Sequence, residues 1–134
     1  MAEYKGKLLK GLFTKASTIL FEDNTCPFDY STTEHIIGKW IDGSTLYETT
    51  VNYGALPNAD RVLINHNISN LASVYEIRAI AVSSSQSFAI PTANPSAQNA
   101  SINVEVTPTQ IGIRTGRDFS SYNAYVTLRY TKTS

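Results

Sequence analysis

The feature that most constrains this chain is Asp42-Gly43, set between two runs of strand-forming residues, His35 to Asp42 and Thr45 to Tyr53. Asp-Gly reaches positive φ at little cost and so favours a tight antiparallel hairpin. The first run carries Trp40, the single tryptophan. In the second run Tyr47, Thr49, Val51 and Tyr53 share one face, while Glu48, Thr50 and Asn52 share the other. A two-stranded hairpin with one apolar face is marginal in water by itself, so the rest of the chain must supply what packs on it.

Further short strand patterns follow at regular spacing. Arg61 to His66, Ala72 to Val82 and Ser87 to Ile90 each carry β-branched or aromatic residues, and Pro91 stops the third. Ile102, Val104 and Val106 alternate up to Pro108, and Ile111 and Ile113 alternate within Gln110 to Thr115. In the last run, Asn123 to Lys132, Ala124, Val126, Leu128 and Tyr130 are predicted to point inward, against Tyr125, Thr127, Arg129 and Thr131. One run is awkward. Strict alternation in Ala72 to Val82 puts Glu76 and Arg78 on the face of Val74, Ile80 and Val82, which requires an edge position or cross-strand pairing. The charged fraction of 16% lies well below the usual quarter, as suits a chain poor in helix surface. The pattern predicts a mostly β protein: an antiparallel, jelly-roll-like β-sandwich of about eight strands.

Residues 1–29 are different. Leu8, Leu9, Leu12, Phe13, Ala16, Ile19 and Leu20 fall on one helical face, with Lys5, Lys7, Lys10 and Lys15 among them. Leu9, Leu12, Ala16 and Ile19 fit heptad a/d positions and are the predicted oligomerisation residues. About two heptads is too short for a stable coiled coil, so the segment is either a short oligomerising helix or an extended arm packing on another subunit or a larger assembly. A helix lying on a membrane surface is a third option. Glu22 to Asp29 carries Asp, Asn and Pro and reads as a linker. The expected organisation is an N-terminal arm and linker over 1–29, then a head domain over 30–134.

Templates for chemistry fail in turn. There is no Gly-x-Ser-x-Gly elbow, no Walker or dinucleotide fingerprint, and one cysteine with two histidines is poor material for zinc. Cys26, beside Pro27, cannot form an internal disulfide. No catalytic residue, metal or cofactor is expected, and the chain reads as a non-enzyme. His66 is expected to hydrogen-bond its own turn. Eleven basic and eleven acidic residues leave no electrostatic footprint for nucleic acid. No apolar run reaches the roughly 20 residues of a membrane span. The lysine-interrupted leader does not match a secretory signal, which gives the Asn-x-Ser triplets at Asn67 and Asn99 little weight and predicts synthesis in the cytosol. The loop Arg114 to Tyr122 is the richest in functional groups. Arg117, Asp118 and Tyr122 are its candidate ligand contacts, against a plainer reading as an Asp-stabilised turn before the last strand.

Several segments resemble a domain widespread in bacteriophage tail-fibre and virion appendage proteins. They are Tyr30-Ser31-Thr32-Thr33-Glu34, Ile37-Gly38-Lys39-Trp40-Ile41-Asp42-Gly43, Leu46-Tyr47, Leu56-Pro57-Asn58, His66-Asn67-Ile68 and Tyr125 to Lys132. The family's Lys-Pro after Asp-Gly is Ser44-Thr45 here. The resemblance implies a virion structural protein assembled in the bacterial cytoplasm as a homotrimer. The arm would meet other virion proteins and the head a host-surface glycan or protein. A capsid decoration or head-fibre protein without receptor binding is an alternative. So is a carbohydrate-binding module, which predicts an exposed aromatic platform drawn from Tyr47, Tyr53, Tyr75 and Tyr125.

Overall fold

The computed structural model describes residues 30–93 and 98–133. The predicted oligomerisation residues Leu9, Leu12, Ala16 and Ile19 lie outside them, as does the rest of the arm. Eight strands follow in chain order: β1 (His35–Lys39), β2 (Thr45–Ala55), β3 (Arg61–Asn65), β4 (Leu71–Val82), β5 (Ser87–Ile90), β6 (Ile102–Val106), β7 (Gln110–Thr115) and β8 (Asn123–Lys132). They build two antiparallel sheets, one in the order β1-β2-β8-β4-β5 and the other β3-β7-β6. The inner faces of the two sheets form the core, so the protein is a β-sandwich of the kind its alternation predicts.

The inward set of β8 is the one its alternation predicts. Ala124, Val126, Leu128 and Tyr130 are fully buried and meet Ile102 of β6 and Ile111 and Ile113 of β7 in one cluster. Tyr53 of β2 joins the cluster, and its hydroxyl donates to the carbonyl of Val62 on β3 at 2.8 Å, tying one sheet to the other. A buried phenol without that acceptor would be costly.

The opening hairpin forms as predicted, one residue wider. The Gly43 amide donates to the Trp40 carbonyl (2.9 Å) and the Trp40 amide to the Ser44 carbonyl (2.8 Å), enclosing Ile41-Asp42-Gly43 with Gly43 at φ +88°. That is a three-residue loop closed by glycine in the left-handed region, so β1 ends at Lys39 rather than Asp42. Asp42 accepts from the Ser44 amide at 2.9 Å, and hydrogen bonds from Ser44 hold its carboxyl below the usual range.

The awkward run resolves through a bulge. In β4 the register against β8 shifts between Val74 and Glu76, leaving Tyr75 as the extra residue. Before the bulge Val74 pairs with Tyr130 and packs on the core; after it Glu76, Arg78 and Ile80 pair with Arg129, Thr127 and Tyr125, the outward residues of β8. One inserted residue therefore turns the charged pair to the outside while keeping Val74 in.

Two further features lock the sandwich. Glu34, just before β1, accepts from the buried Tyr130 hydroxyl and from Lys132 Nζ at 2.8 Å, joining the start of the domain to its last strand. Partial burial alone would raise the Glu34 carboxyl, but the bonds from Lys132 and Tyr130 outweigh it and hold the group below its ordinary 4.5. Burial, then the Glu34 carboxylate, pushes the Tyr130 phenol far above its ordinary 10.0. The second feature is Gly116. A Cβ there would lie 2.4 Å from the backbone oxygen of Asn99, because the short turn Gln98–Ala100 packs directly on the β7 exit.

The shifts of Glu34 and Tyr130 contribute to the two ends of the pH profile. A lowered Glu34 contributes stability that is present above pH 4.5 and lost as pH falls through its folded value. A raised Tyr130 contributes stability that is present below pH 10.0 and lost as pH rises through its folded value. Thermal melts followed by circular dichroism are expected to show both falls, and Tyr130→Phe flattens the alkaline one. Gly116→Ala is expected to lower stability in urea by about 1–3 kcal/mol, since the obstacle is backbone. At Gly112 the clash is with the side chain of Glu105, which can swing away, so Gly112→Ala costs clearly less.

Candidate functional site

The outer face of the five-stranded sheet collects the polar and aromatic residues that the core does not use. Register places Glu48, Thr50 and Asn52 of β2 beside Arg129, Thr127 and Tyr125 of β8, and these beside Glu76, Arg78 and Ile80 of β4. Three zones result.

At one end Trp40 stacks on Tyr75, the bulge residue, with ring centroids 3.9 Å apart and planes at 15°. The bulge re-aims Tyr75 onto this face, and the hairpin loop supplies Trp40.

In the middle is a charge network around Glu48, which is 4% exposed. Arg129 Nε donates to its Oε2 at 2.7 Å, Arg78 lies 3.8 Å from the same oxygen, and His35 Nε2 lies 3.6 Å from Oε1. Glu76 holds both arginines from the solvent side, at 2.8 Å from Arg78 and 3.5 Å from Arg129. A buried carboxylate is tolerated because two guanidiniums sit on it. His35 Nδ1 lies 3.3 Å from the Thr33 carbonyl, while Nε2 is buried with no hydrogen-bond partner among the described residues.

At the far end is a groove of about 620 Å³ whose walls include Tyr30, Ile77, Ile80, Ala89 and Tyr125. Ile80 and Tyr125 face each other across β4 and β8, 42% and 40% exposed. Thr50 and Thr127 form its floor, their hydroxyls 2.8 Å apart.

The loop that carries Arg117, Asp118 and Tyr122 lies elsewhere and does not gather them on one ligand. Asp118 accepts from the Ser120 amide at 2.9 Å and forms a β-bridge with Asn58. Hydrogen bonds from the Ser120 hydroxyl and amide hold its carboxyl below the usual range. Tyr122 packs on the core, edge-on to Phe88 at 5.1 Å. The Arg117 guanidinium lies 5.1 Å over the Phe119 ring, and its carbonyl accepts from the Ala59 amide. Arg117 and Asp118 are exposed, while Tyr122 supports the loop from beneath.

His66 is buried at the end of β3 with both ring nitrogens engaged. Nδ1 accepts from the Ile68 amide (3.1 Å) and Nε2 donates to the Thr107 carbonyl (3.0 Å), the turn-bonding role expected of it. The network around Glu48 was invisible to periodicity, which marks Glu48 as outward and no more. The one clue was that Glu76 and Arg78 needed partners across strands.

Among the described residues no three His, Cys, Asp or Glu side chains converge as metal ligands would. Comparison of the chain with protein-family models, curated proteins and solved structures finds no match.

Glu48→Ala leaves two guanidiniums facing a void and is expected to cost about 1–3 kcal/mol in urea. Glu76→Ala, at the exposed side of the same network, is expected to cost less than about 1 kcal/mol. The fluorescence of Trp40, the chain's single tryptophan on this same face, follows both titrations.

Proposed function

We propose that this chain is a virion appendage protein: a non-enzymatic β-sandwich head carried on an N-terminal arm, working as a homotrimer. The arm joins it to other virion proteins, and the head meets a host-surface glycan or protein. Assembly takes place in the bacterial cytoplasm, and the working location is the virion.

The observation that carries this reading is where the resembling segments fall. Ile37 to Gly43 is the end of β1 and its loop, and Leu56-Pro57-Asn58 is the strap that holds the Arg117 loop. The Leu56 amide donates to Tyr122, the Pro57 carbonyl accepts from Thr115 Oγ1 at 2.9 Å, and Asn58 bridges Asp118. His66-Asn67-Ile68 is the bonded turn after β3, and Tyr125 to Lys132 lies in β8. These four resembling segments have architectural tasks in this chain, which supports reading the likeness as one of a structural protein. The same fact explains why it names no ligand.

Host contact on this reading falls to the exposed Arg117 and Asp118, where single weak sites add through three copies. The four tyrosines of the carbohydrate-module alternative do not form one platform. Tyr53 is buried and Tyr47 packs beside Tyr130 on the inner side, which leaves only two exposed and apart, Tyr75 stacked on Trp40 at one end of the outer face and Tyr125 in the groove at the other. This favours the appendage reading over that module.

Light scattering after size-exclusion chromatography is expected to give the mass of three 14.7 kDa chains. A stable monomer for the full chain overturns the trimer. On a glycan array or host-cell binding assay, Arg117→Ala with Asp118→Ala is expected to lose most of the signal. Absence of signal from the unmodified chain as well leaves the decoration-protein alternative in its place.

A further inference from the structure

We infer that the apolar groove on the outer face of the five-stranded sheet is the seat of this chain's own N-terminal segment, the apolar row between Leu8 and Leu20. The inference does not depend on the virion reading.

The chemistry of the groove selects its occupant. Its exposed walls include the side chains of Ile80 and Tyr125, each about two-fifths exposed. Apart from the Tyr30 and Tyr125 hydroxyls, its polar side chains are already engaged: Thr50 and Thr127 bond to each other, and Arg78 is held by Glu76 and Glu48. A sugar needs several convergent donors and acceptors to replace its lost water, and this groove has few to offer. An apolar stretch of polypeptide requires none. An exposed apolar patch beside engaged polar groups is the mark of a surface meant to be covered.

Where the chain enters decides which polypeptide. Tyr30, the first described residue, is itself part of the groove wall and 70% exposed. The residues immediately upstream therefore start at the groove. Nine residues, Phe21 to Asp29, separate Tyr30 from Leu20. Fully extended they reach about 30 Å. Four interstrand spacings of about 4.8 Å make the five-stranded sheet only about 19 Å wide. Leu20 can thus be brought across to any strand of the face without strain. A tether this short holds the segment at an effective concentration in the millimolar range, well above that of an unassociated chain in dilute solution. The apolar row Leu8, Leu9, Leu12, Phe13, Ala16 and Ile19 has the composition the groove asks for.

The test places the photoreactive residue p-benzoylphenylalanine at position 80 of the full chain and identifies the captured peptide by mass spectrometry. Capture of residues 1–29 within a single chain, with loss of capture in Leu12→Asp and Phe13→Asp, is the expected result. Capture of the same residues in a covalent dimer overturns the assignment to the chain's own segment and gives the groove to a neighbour's. Capture of neither overturns the proposal altogether. Hydrogen exchange on the chain with native Ile80 gives an independent reading. Phe13→Asp is expected to speed exchange along β4 and β5, and unchanged rates there count against the inference even if the probe disturbs folding.

Discussion

The sandwich depends on one insertion: the last strand, β8, lies between β2 and β4 and hydrogen-bonds both. Without it the five-stranded sheet separates into the β1–β2 hairpin and the β4–β5 pair, neither of which can bury its apolar face alone. The inward side chains of β8 are also the centre of the core, so pairing and packing arrive together. The contacts that matter most therefore join residues far apart in sequence, as in the bond from Tyr130 to Glu34. Such topologies close large loops before any contact rewards them, and they fold slowly for that reason.

The same strand links the fold to its outer face. Between the inward residues of β8 lie ones that point out, and these are Tyr125, Thr127 and Arg129. Arg129 anchors the Glu48 network, Thr127 closes against Thr50, and Tyr125 makes one wall of the groove. A burial requirement on one side thus fixes the spacing of chemistry on the other, because side chains alternate at a period of two. The bulge at Tyr75 is the exception that makes the face possible. It changes the phase of β4 midway, so that Val74 stays in the core while Glu76 and Arg78 meet Arg129 and Glu48 outside. The second surface, the Arg117 loop, is built otherwise: a strap at Leu56 to Asn58 and a half-buried Tyr122 hold it, leaving two charged side chains exposed at the tip.

Most strands were legible in the sequence because alternation, β-branching and turn residues agree along each of them. Asn123 to Lys132 and Gln110 to Thr115 carry all these signals at once, and both form over those same residues. Asp42-Gly43 marked the hairpin, and Asp118 with Ser120 marked a turn before the last strand, because short polar side chains bonding their own backbone are local chemistry. The candidate ligand residues were less legible. Arg117, Asp118 and Tyr122 were joined by proximity in sequence, yet Tyr122 is drawn under the loop by Phe88, a residue on another strand.

By itself, then, the sequence determined the class of fold, the positions of the strands and which face of β8 turns inward, all of which rest on interactions between near neighbours and on the separation of apolar from polar side chains. Tertiary structure alone decided that β8 runs between β2 and β4, that Glu48 is buried beneath two arginines, and that Ile80, Tyr125 and Tyr30 share a groove. The physical reason is that strand order, register and bulges are set by the joint packing of two sheets. No local pattern records which partner a strand's unpaired amides and carbonyls will find.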